Sequence, residues 1–255
     1  MRLVIHQPYF IPWMGYFSKL SYSDIFVCLD NAQFRKRHLF DRTKIINMHG
    51  QITWLSLPVG EKLGILCNQV TTQNIIRHSD PDYAENILLT IKYSYSKAYF
   101  FNDEWNDVYQ ALYEPLKQKE LVKINLGIIK NLSALIGIKM PEIILASELV
   151  GNEFDDPTER LLQISKILKA ESIIIGGGQG TAIHNWDLLQ KENIKIFVQD
   201  FLSNHPQYYQ YRRSKSGFAR AMAIIDAILN VGRKSTLQML TNTACEPTES
   251  ILHSN

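Results

Sequence analysis

The sequence predicts an α/β fold with a largely parallel sheet flanked by helices, and with a helical segment inserted in the middle of the chain. In both halves, short apolar runs alternate with segments of helical periodicity, which is the pattern of strand–helix–strand units. The runs IFVCLD (25–30) and SIIIGGG (172–178) are apolar until they end in an acid or in glycines. Such uninterrupted runs are typical of strands buried on both faces of a parallel sheet.

The individual elements follow from periodicity and turn residues. Before residue 60, strands are predicted at 2–6, 25–30 and 52–59 and a short helix at 14–22, whereas 41–47 is polar and irregular. From 82 to about 138, Leu, Ile and Tyr recur every three or four residues, which predicts two or three amphipathic helices. The remaining predictions are strands at 142–149, 172–178 and 194–201, helices at 155–170, 186–193 and 219–232, the last closed by Gly232, and a frayed polar tail after about 240.

Length and composition limit the classes of protein. The 255 residues suffice for a single α/β domain over 1–240, or for two packed lobes, 1–95 and 141–240, joined by helices within 96–140, with 241–255 as a polar tail. The net charge of +2 gives no electrostatic reason to expect nucleic-acid binding. The start MRLVIHQP lacks the features of a signal peptide, and no run approaches the roughly 18 apolar residues of a membrane span. We therefore expect a cytoplasmic protein without membrane insertion. The three cysteines lack metal-type spacing, so no metal site is predicted.

Three segments follow predicted parallel strands and are candidates for ligand binding, because loops leave the carboxyl ends of such strands at one edge of the sheet. The first is HQPYFIP, after the strand at 2–6. A polar pair, His6 and Gln7, held by prolines and aromatic rings suits preorganised ligand contact. His6 is then a general base near neutral pH or a phosphate ligand. The alternative is that the pair only satisfies backbone groups around the prolines.

The second segment, DNAQFRKRHLFDR (30–42), carries a cluster of basic residues. Arg35, Lys36, Arg37 and Arg42 can converge on a phosphate or a carboxylate, because guanidinium groups bind such anions through two hydrogen bonds. Asp30, at the end of the strand, is placed to orient one of them or a substrate hydroxyl. A solvated loop is the alternative.

The third segment, GGGQGTAIHN (176–185), follows the strand that starts at residue 172. Glycines let backbone N–H groups approach an anion at the start of a helix, and a tight turn without a ligand is the alternative. The spacing is neither GxGxxG nor a Walker motif. HPQYYQ, after the strand at 194–201, is expected to bring Tyr208 to the same edge, where its ring can stack on a base or a sugar. The sequence thus predicts one pocket around His6, Lys36, Gly177 and Tyr208.

Taken together, these motifs resemble the WbqC-like family of bacterial proteins, over residues 1 to about 232 and most specifically over the first 60. The family's opening pattern, a strand followed by QPxYxPxxGYF, is matched with one residue fewer between proline and ring by Gln7, Pro8, Tyr9, Pro12, Gly15, Tyr16 and Phe17. Further matches are Asp30, Gln33, Phe34, Lys36 and Arg42, then WLSLPV (54–59), then Thr158, Arg160 and Leu161, then QDF (199–201), HPQYYQ (205–210) and IIDAILNVG (224–232). One departure is GGGQGTAIHN in place of SGxGxxxYL. It puts Gly176 and Ile183 at the serine and tyrosine positions, so that His184 or Asn185 substitutes for the tyrosine or the substrate differs.

The resemblance implies a transferase that moves an acyl or aminoacyl group to the amine of a nucleotide-linked amino sugar, in the assembly of surface polysaccharides such as O-antigen or capsule. The implied partners are the nucleotide sugar and an acyl donor, either coenzyme A or the thioester of an acyl carrier protein, and no other cofactor is firmly implied. No nucleophilic Ser or Cys motif is visible, so direct attack on the donor is expected rather than a covalent intermediate. The catalytic residues predicted are His6, Gln7 and Asp30, and the substrate-binding residues predicted are Tyr9, Tyr16, Gln33, Lys36, Arg42, Gly176, Gly177, Gly178, His184, Asp200 and Tyr208.

Two other functions stay open at this point. An ATP-dependent amide-forming ligase is suggested by a weaker similarity of the run from MGYF to LDNAQF to the nucleotidyltransferase-like group that includes pantothenate synthetase. The paired-histidine signature of that group is missing, since only His6 is present. The other alternative is a non-catalytic protein that holds a sugar nucleotide for a neighbouring transferase.

Overall fold

A computed structural model describes residues 1–32, 34, 38–59, 82–151, 156–177, 183–213, 216–242, 246–250 and 252. The strands are β1 (Arg2–His6), β2 (Ile25–Cys28), β3 (Arg42–Ile46), β4 (Ile52–Ser56), β5 (Glu142–Leu145), β6 (Ser172–Gly176), β7 (Lys195–Gln199) and β8 (Thr248–Glu249). The helices are α1 (Met14–Ser21), α2 (Tyr83–Tyr95), α3 (Phe101–Leu116), α4 (Leu121–Ile136), α5 (Ala146–Val150), α6 (Pro157–Ile167), α7 (Trp186–Lys191) and α8 (Ile224–Leu240).

The main sheet contains six strands in the order β5-β2-β1-β6-β7-β8, of which all but the edge strand β8 run parallel. The predicted α/β fold with a largely parallel sheet is therefore confirmed. Side chains alternate along each strand, so they point to both faces of the sheet, and both faces are buried. Val4 of β1 packs into a core with α1, α2, α3, α4 and α8, whereas its neighbours Leu3 and Ile5 pack on the opposite face with α6 and α7.

The strand order reverses between β1 and β6. From β1 the chain moves outward to β2 and β5, and it then returns to place β6 on the other side of β1. The pairing of β1 with β6 covers Arg2↔Ser172 and Leu3↔Ile173, whereas the pairing of β1 with β2 continues to His6↔Cys28. The strands β1 and β6 thus separate toward their carboxyl ends. In open parallel sheets this is the position where a crevice forms and ligands bind.

Three elements differ from the sequence predictions, and the first two differences have a tertiary cause. Residues 42–46, expected to be irregular, form β3 because they pair with β4 in an antiparallel hairpin. The strand expected at 142–149 ends at Leu145, where the carboxylate of Asp30 accepts hydrogen bonds from the backbone N–H and hydroxyl of Ser147 and α5 begins. The last helix does not close at Gly232: the backbone leaves helical geometry there, with φ 81° and ψ 158°, and α8 resumes.

The C-terminal region also differs from expectation. Thr248–Glu249 form β8, which pairs with β7 where the sequence predicted a frayed tail. In the middle of the chain, by contrast, the predicted helical segment is present as α2, α3 and α4. Among the described helices, none combines the length and the apolar character required to cross a membrane. The same parts of the chain hold no group of three or more His, Cys, Asp or Glu side chains placed to bind a metal ion.

Candidate functional site

The segment between β1 and α1, residues 7–13, contains Pro8 and Pro12 and is here called the opening segment; it is held from several sides. Asn125 of α4 donates hydrogen bonds of 2.8 Å to the carbonyl oxygens of Pro8 and of Phe40. The hydroxyl of Thr43 in β3 donates one of 2.9 Å to the carbonyl of Ile11, whose backbone has the unusual φ of 38°. A β-branched residue adopts such a φ only when its surroundings impose it. The loop that follows His6 is therefore rigid, which is a requirement for a preorganised site.

His6 is fixed in orientation and in tautomer. Its Nδ1 lies 2.9 Å from the carbonyl oxygen of Gln7, which also accepts a hydrogen bond of 3.0 Å from the hydroxyl of Tyr16. The imidazole contacts the rings of Tyr9 and Tyr16 edge-on, with centroid distances of 4.6 and 5.0 Å. Because a carbonyl oxygen only accepts hydrogen bonds, Nδ1 carries the proton of the neutral ring. Nε2 then keeps its lone pair and can accept a proton from a substrate.

His6 remains neutral at physiological pH. Burial lowers the pKa of its imidazole well below the usual value, and the nearby charge of Lys19 lowers this pKa further, against a smaller opposite effect of the Gln7 carbonyl. The sequence had suggested titration near neutrality, and the difference arises because the ring is enclosed by aromatic side chains and lies close to a lysine. A ring with this environment is a neutral proton acceptor at neutral pH rather than an imidazolium cation.

Lys19 is a site residue that the sequence reasoning missed. It lies on α1 with only 6% of its surface exposed, and its Nζ is 6.0 Å from the centroid of the Tyr16 ring. Burial lowers its pKa from 10.5 to about 7. From the sequence alone, a lysine in an eight-residue helix is expected to be exposed to solvent. The signal that was available is the composition of MGYFSKL, which is apolar on nearly every side of the helix.

Replacing Lys19 with methionine is expected to stabilise the fold, by about 2–4 kcal/mol near pH 7. Because the pKa of Lys19 is lowered in the folded state, the unfolded chain binds more protons between about pH 7 and 10.5. The free energy of unfolding of the wild type therefore rises with pH across that window, whereas a methionine does not titrate. Urea unfolding at several pH values should show an advantage of Lys19→Met that shrinks toward pH 10. Lys123→Met, on the exposed face of α4, should change stability by no more than about 0.5 kcal/mol. An advantage of Lys19→Met that does not change with pH would contradict the assignment.

Next to His6 lies a cleft of about 360 Å³, here called the Trp54 cleft, between the opening segment and the β3–β4 hairpin. The guanidinium carbon of Arg42 is 3.9 Å from the centroid of the Trp54 ring, and Nζ of Lys44 is 5.3 Å from it. Tyr9 lines the cleft and also contacts His6, so the two are adjacent. The lining residues are Tyr9, Phe10, Pro12, Trp13, His38, Leu39, Arg42, Thr43, Lys44, Trp54, Leu202 and Ala221. Flat rings beside cations form a surface suited to a base or sugar joined to phosphates.

The predicted residues at the ends of β1, β2, β6 and β7 lie at one edge of the sheet, because these strands are parallel. Both carboxylate oxygens of Asp30 bind Ser147, at 2.9 and 2.5 Å, so Asp30 at least fixes the junction of β5 and α5. The backbone N–H of Gly177 donates to Gln199, and a Cβ placed on Gly176 would meet no atom within 4 Å. Asp200 is exposed and caps its own turn through Ser203.

Two predicted residues lie in other surroundings, and three lie outside the described residues. The hydroxyl of Tyr208 donates a hydrogen bond of 2.7 Å to the buried carboxylate of Asp226, on α8. His184 packs against Trp186. Burial lowers the pKa of His184, and the charge of Arg160 lowers it further by a smaller amount. Contact of either residue with a ligand stays a prediction. Gln33, Lys36 and Gly178 fall outside the described residues, as do Arg35 and Arg37 of the predicted anion clamp.

The chain is similar to known proteins over most of its length, since the model of the WbqC-like protein family matches residues 7–238. The chain belongs to the WbqC-like family. The match begins at Gln7 and includes the opening segment, the Trp54 cleft and the edge of the sheet described above. This WbqC-like chain is also 25% identical over 234 residues to an uncharacterized protein of Mycobacterium tuberculosis, which covers 92% of this chain and 95% of that protein. No solved structure matches.

Proposed function

We propose that this WbqC-like protein is a transferase that moves an acyl or aminoacyl group to the amine of a nucleotide-linked amino sugar during the assembly of a bacterial surface polysaccharide. The observation that carries the proposal is the position of His6. A neutral imidazole with a free lone pair on Nε2 lies at the crevice between β1 and β6, beside a cleft lined by aromatic rings and cations. This arrangement places a proton acceptor beside a surface suited to a nucleobase, a sugar and a diphosphate.

In the proposed reaction the amine nitrogen of the sugar attacks the carbonyl carbon of the donor. The new C–N bond forms, the bond from that carbon to the leaving group breaks, and the proton of the amine passes to Nε2 of His6 and then to the leaving group. The donor is a thioester of coenzyme A or of an acyl carrier protein. Trp54 stacks on the base or the sugar of the acceptor, while Arg42 and Lys44 bind its diphosphate.

Direct transfer is favoured over a covalent enzyme intermediate. Cys28, at the end of β2, is the cysteine among the described residues, and it pairs with His6 across the ladder. Its side chain is fully buried, and burial raises the pKa of its thiol well above the usual value, with a further contribution from Asp30. A buried thiol that stays protonated is not a nucleophile.

The sheet order favours one second candidate, an ATP-dependent amide-forming ligase. The five parallel strands, taken along the chain, are arranged 3-2-1-4-5, which is the order of doubly wound sheets that bind nucleotides at their reversal point. In that case the nucleotide in the crevice is ATP, and the donor is a free acid activated as its adenylate.

A panel of ligands tests the proposed function and separates it from the alternatives. Thermal shift and product detection by mass spectrometry are applied to nucleotide-linked amino sugars, acyl thioesters, and ATP with free acids. Transfer predicts binding of the sugar and the thioester, and an N-acylated sugar product that forms without ATP. A product that requires ATP would establish the ligase instead. Binding of the sugar nucleotide without a product from any donor would indicate a binding protein.

Replacing Arg42 with alanine is expected to weaken binding of the nucleotide sugar by about tenfold or more. A charge-assisted hydrogen bond to a phosphate contributes roughly 1.5–3 kcal/mol when it is shielded from water. Isothermal titration at low salt measures the loss. Arg212→Ala is the matched control, because Arg212 is also packed beside an aromatic ring, 5.1 Å from the centroid of Tyr211, but does not line the cleft. Equal affinities for both variants would remove Arg42 from the binding surface.

A further inference from the structure

Lys19 has no role in the reaction described above, although it lies beside His6. We propose that Lys19 is the cation of a small oxyanion-binding subsite next to His6, which takes a phosphate or carboxylate group of a substrate. The inference deepens the proposed function and rests on it only for the identity of the molecule that carries the oxyanion.

The position of the ammonium group is the first argument. Side chains on an α-helix point back toward its N-terminus, and the N-terminus of α1 lies on the carboxyl side of β1. Nζ of Lys19 accordingly lies over the ring of Tyr16, one turn earlier, at 6.0 Å from the centroid. It is close enough to His6 for its charge to lower the pKa of that imidazole. The centroid of the Tyr16 ring also lies 5.0 Å from that of the His6 ring, so the ammonium of Lys19 and the imidazole of His6 are next to the same tyrosine.

The surroundings of Lys19 are the second argument. The titratable groups that act on His6 and Tyr16, the two residues beside Lys19, are Tyr9, His38 and Cys28. None of these is a carboxylate, and Asp30, which acts on Cys28, binds Ser147 through both carboxylate oxygens. Burial accounts for the lowered pKa of Lys19, without an offsetting contribution from an acidic group.

The other elements packed on α1 do not supply a counter-ion either. In the parts of the chain that the structure describes, the side chain of Lys19 makes no hydrogen bond and no ion pair, and its ammonium contacts the ring of Tyr16. The strand β6, which faces α1, is apolar apart from Ser172 and Gly176. On α8, the buried carboxylate of Asp226 accepts hydrogen bonds from Tyr208 and Gln210. A buried cation without a counter-ion is costly, so a ligand oxyanion that supplies the missing charge gains a strong interaction.

Binding of the oxyanion is therefore linked to protons. Above about pH 7 the folded protein holds Lys19 increasingly in its neutral form, and an anion has to recruit a proton to it. The affinity should fall by about tenfold for each pH unit above that value. Two sources of the oxyanion are compatible with this chemistry, a phosphate of the nucleotide or the acyl donor, and a carboxylate of an amino-acid or acyl group.

Isothermal titration with sulfate and with acetate, between about pH 6.5 and 9, tests the subsite on the full chain. Neither ion titrates in this range, and the two stand for phosphate and carboxylate respectively. Preferential binding of sulfate assigns the subsite to a phosphate, and preferential binding of acetate assigns it to a carboxylate. The wild type should bind the preferred ion with the stated pH dependence and take up a proton, seen as a dependence of the heat on the ionisation enthalpy of the buffer.

Three variants separate binding from folding. Lys19→Met should lose at least tenfold in affinity while its melting temperature stays equal or rises, which a purely structural lysine would not do. Lys19→Arg should keep binding but lose the pH dependence, because an arginine stays charged. Lys123→Met, in the exposed pair with Glu120 on α4, should match the wild type. No anion binding to the wild type, or the same affinity in Lys19→Met, would overturn the proposal.

The outcomes also distinguish this proposal from the proposed function. Binding of sulfate or acetate that depends on Lys19, in a protein that binds no nucleotide sugar, would leave the subsite standing and remove the transferase. Transfer to a nucleotide sugar at an unchanged rate in Lys19→Met would leave the transferase standing and remove the subsite.

Discussion

Replacing His6 with alanine is expected to lower the rate of transfer by about 10²–10⁴-fold, which is the usual contribution of a general base. The fold should survive, because the ring is only partly buried and the Gln7 carbonyl to which Nδ1 donates keeps its hydrogen bond from Tyr16. Single-turnover kinetics with the substrate identified by the ligand panel measure the effect, and thermal unfolding measures stability in parallel.

His205 provides a matched control for this experiment. Its Nδ1 also lies 2.9 Å from the carbonyl of the next residue, Pro206, and burial lowers its pKa in the same direction. His205→Ala should therefore lose stability and keep its turnover. If His6→Ala instead lost melting temperature and activity in proportion, His6 would have the structural role that the sequence left open, satisfying backbone groups around Pro8 and Pro12.

Asn125→Ala is expected to have the largest effect on stability, a loss of about 2–4 kcal/mol in the free energy of unfolding. The side chain is fully buried, and its amide nitrogen donates to two carbonyl oxygens, those of Pro8 and Phe40. Truncation leaves both acceptors without a partner inside the protein. Because Pro8 directly precedes Tyr9 in the loop after His6, the variant should also raise the KM of the transferase. Urea unfolding and steady-state kinetics measure the two effects.

The control for Asn125 lies on the same helix. Asn131 of α4 is half-buried and donates a single hydrogen bond of 3.0 Å, to the carbonyl of Ala111. Asn131→Ala should cost about 1 kcal/mol or less and leave KM unchanged. A cost for Asn125→Ala as small as that of the control would mean that water or a shifted backbone replaces the lost hydrogen bonds, and that the opening segment does not depend on α4.

The elements that sequence predicted well are those whose burial shows in a short window. The apolar runs of β1, β2, β6 and β7 and the periodicity of α2, α3 and α4 are local properties, and each was visible in the residues themselves. The elements that differed from the prediction depend on partners outside the segment itself. β3 exists because β4 pairs with it, and β5 ends because Asp30 reaches across 117 residues to Ser147.

The candidate site divides in the same way. His6, Gln7, Tyr9 and the glycines at 176–177 were predicted from sequence, since they follow apolar strands and parallel strands bring such ends to one edge. Lys19 and the Trp54 cleft were not found as site features. The burial of a lysine, and the stacking of Arg42 on Trp54 across a hairpin, arise from contacts between segments that no local pattern reports.

The amino-acid sequence was thus sufficient for the class of fold, the family and the strand ends that carry polar groups, because these follow from local hydrophobicity and from motifs of adjacent residues. The tertiary structure decided the order of the strands, the separation of β1 from β6, the tautomer of His6 and the burial of Lys19. The physical reason is that pKa values and hydrogen-bond partners depend on the dielectric environment and on neighbours brought together by folding, and side chains far apart in the chain determine both.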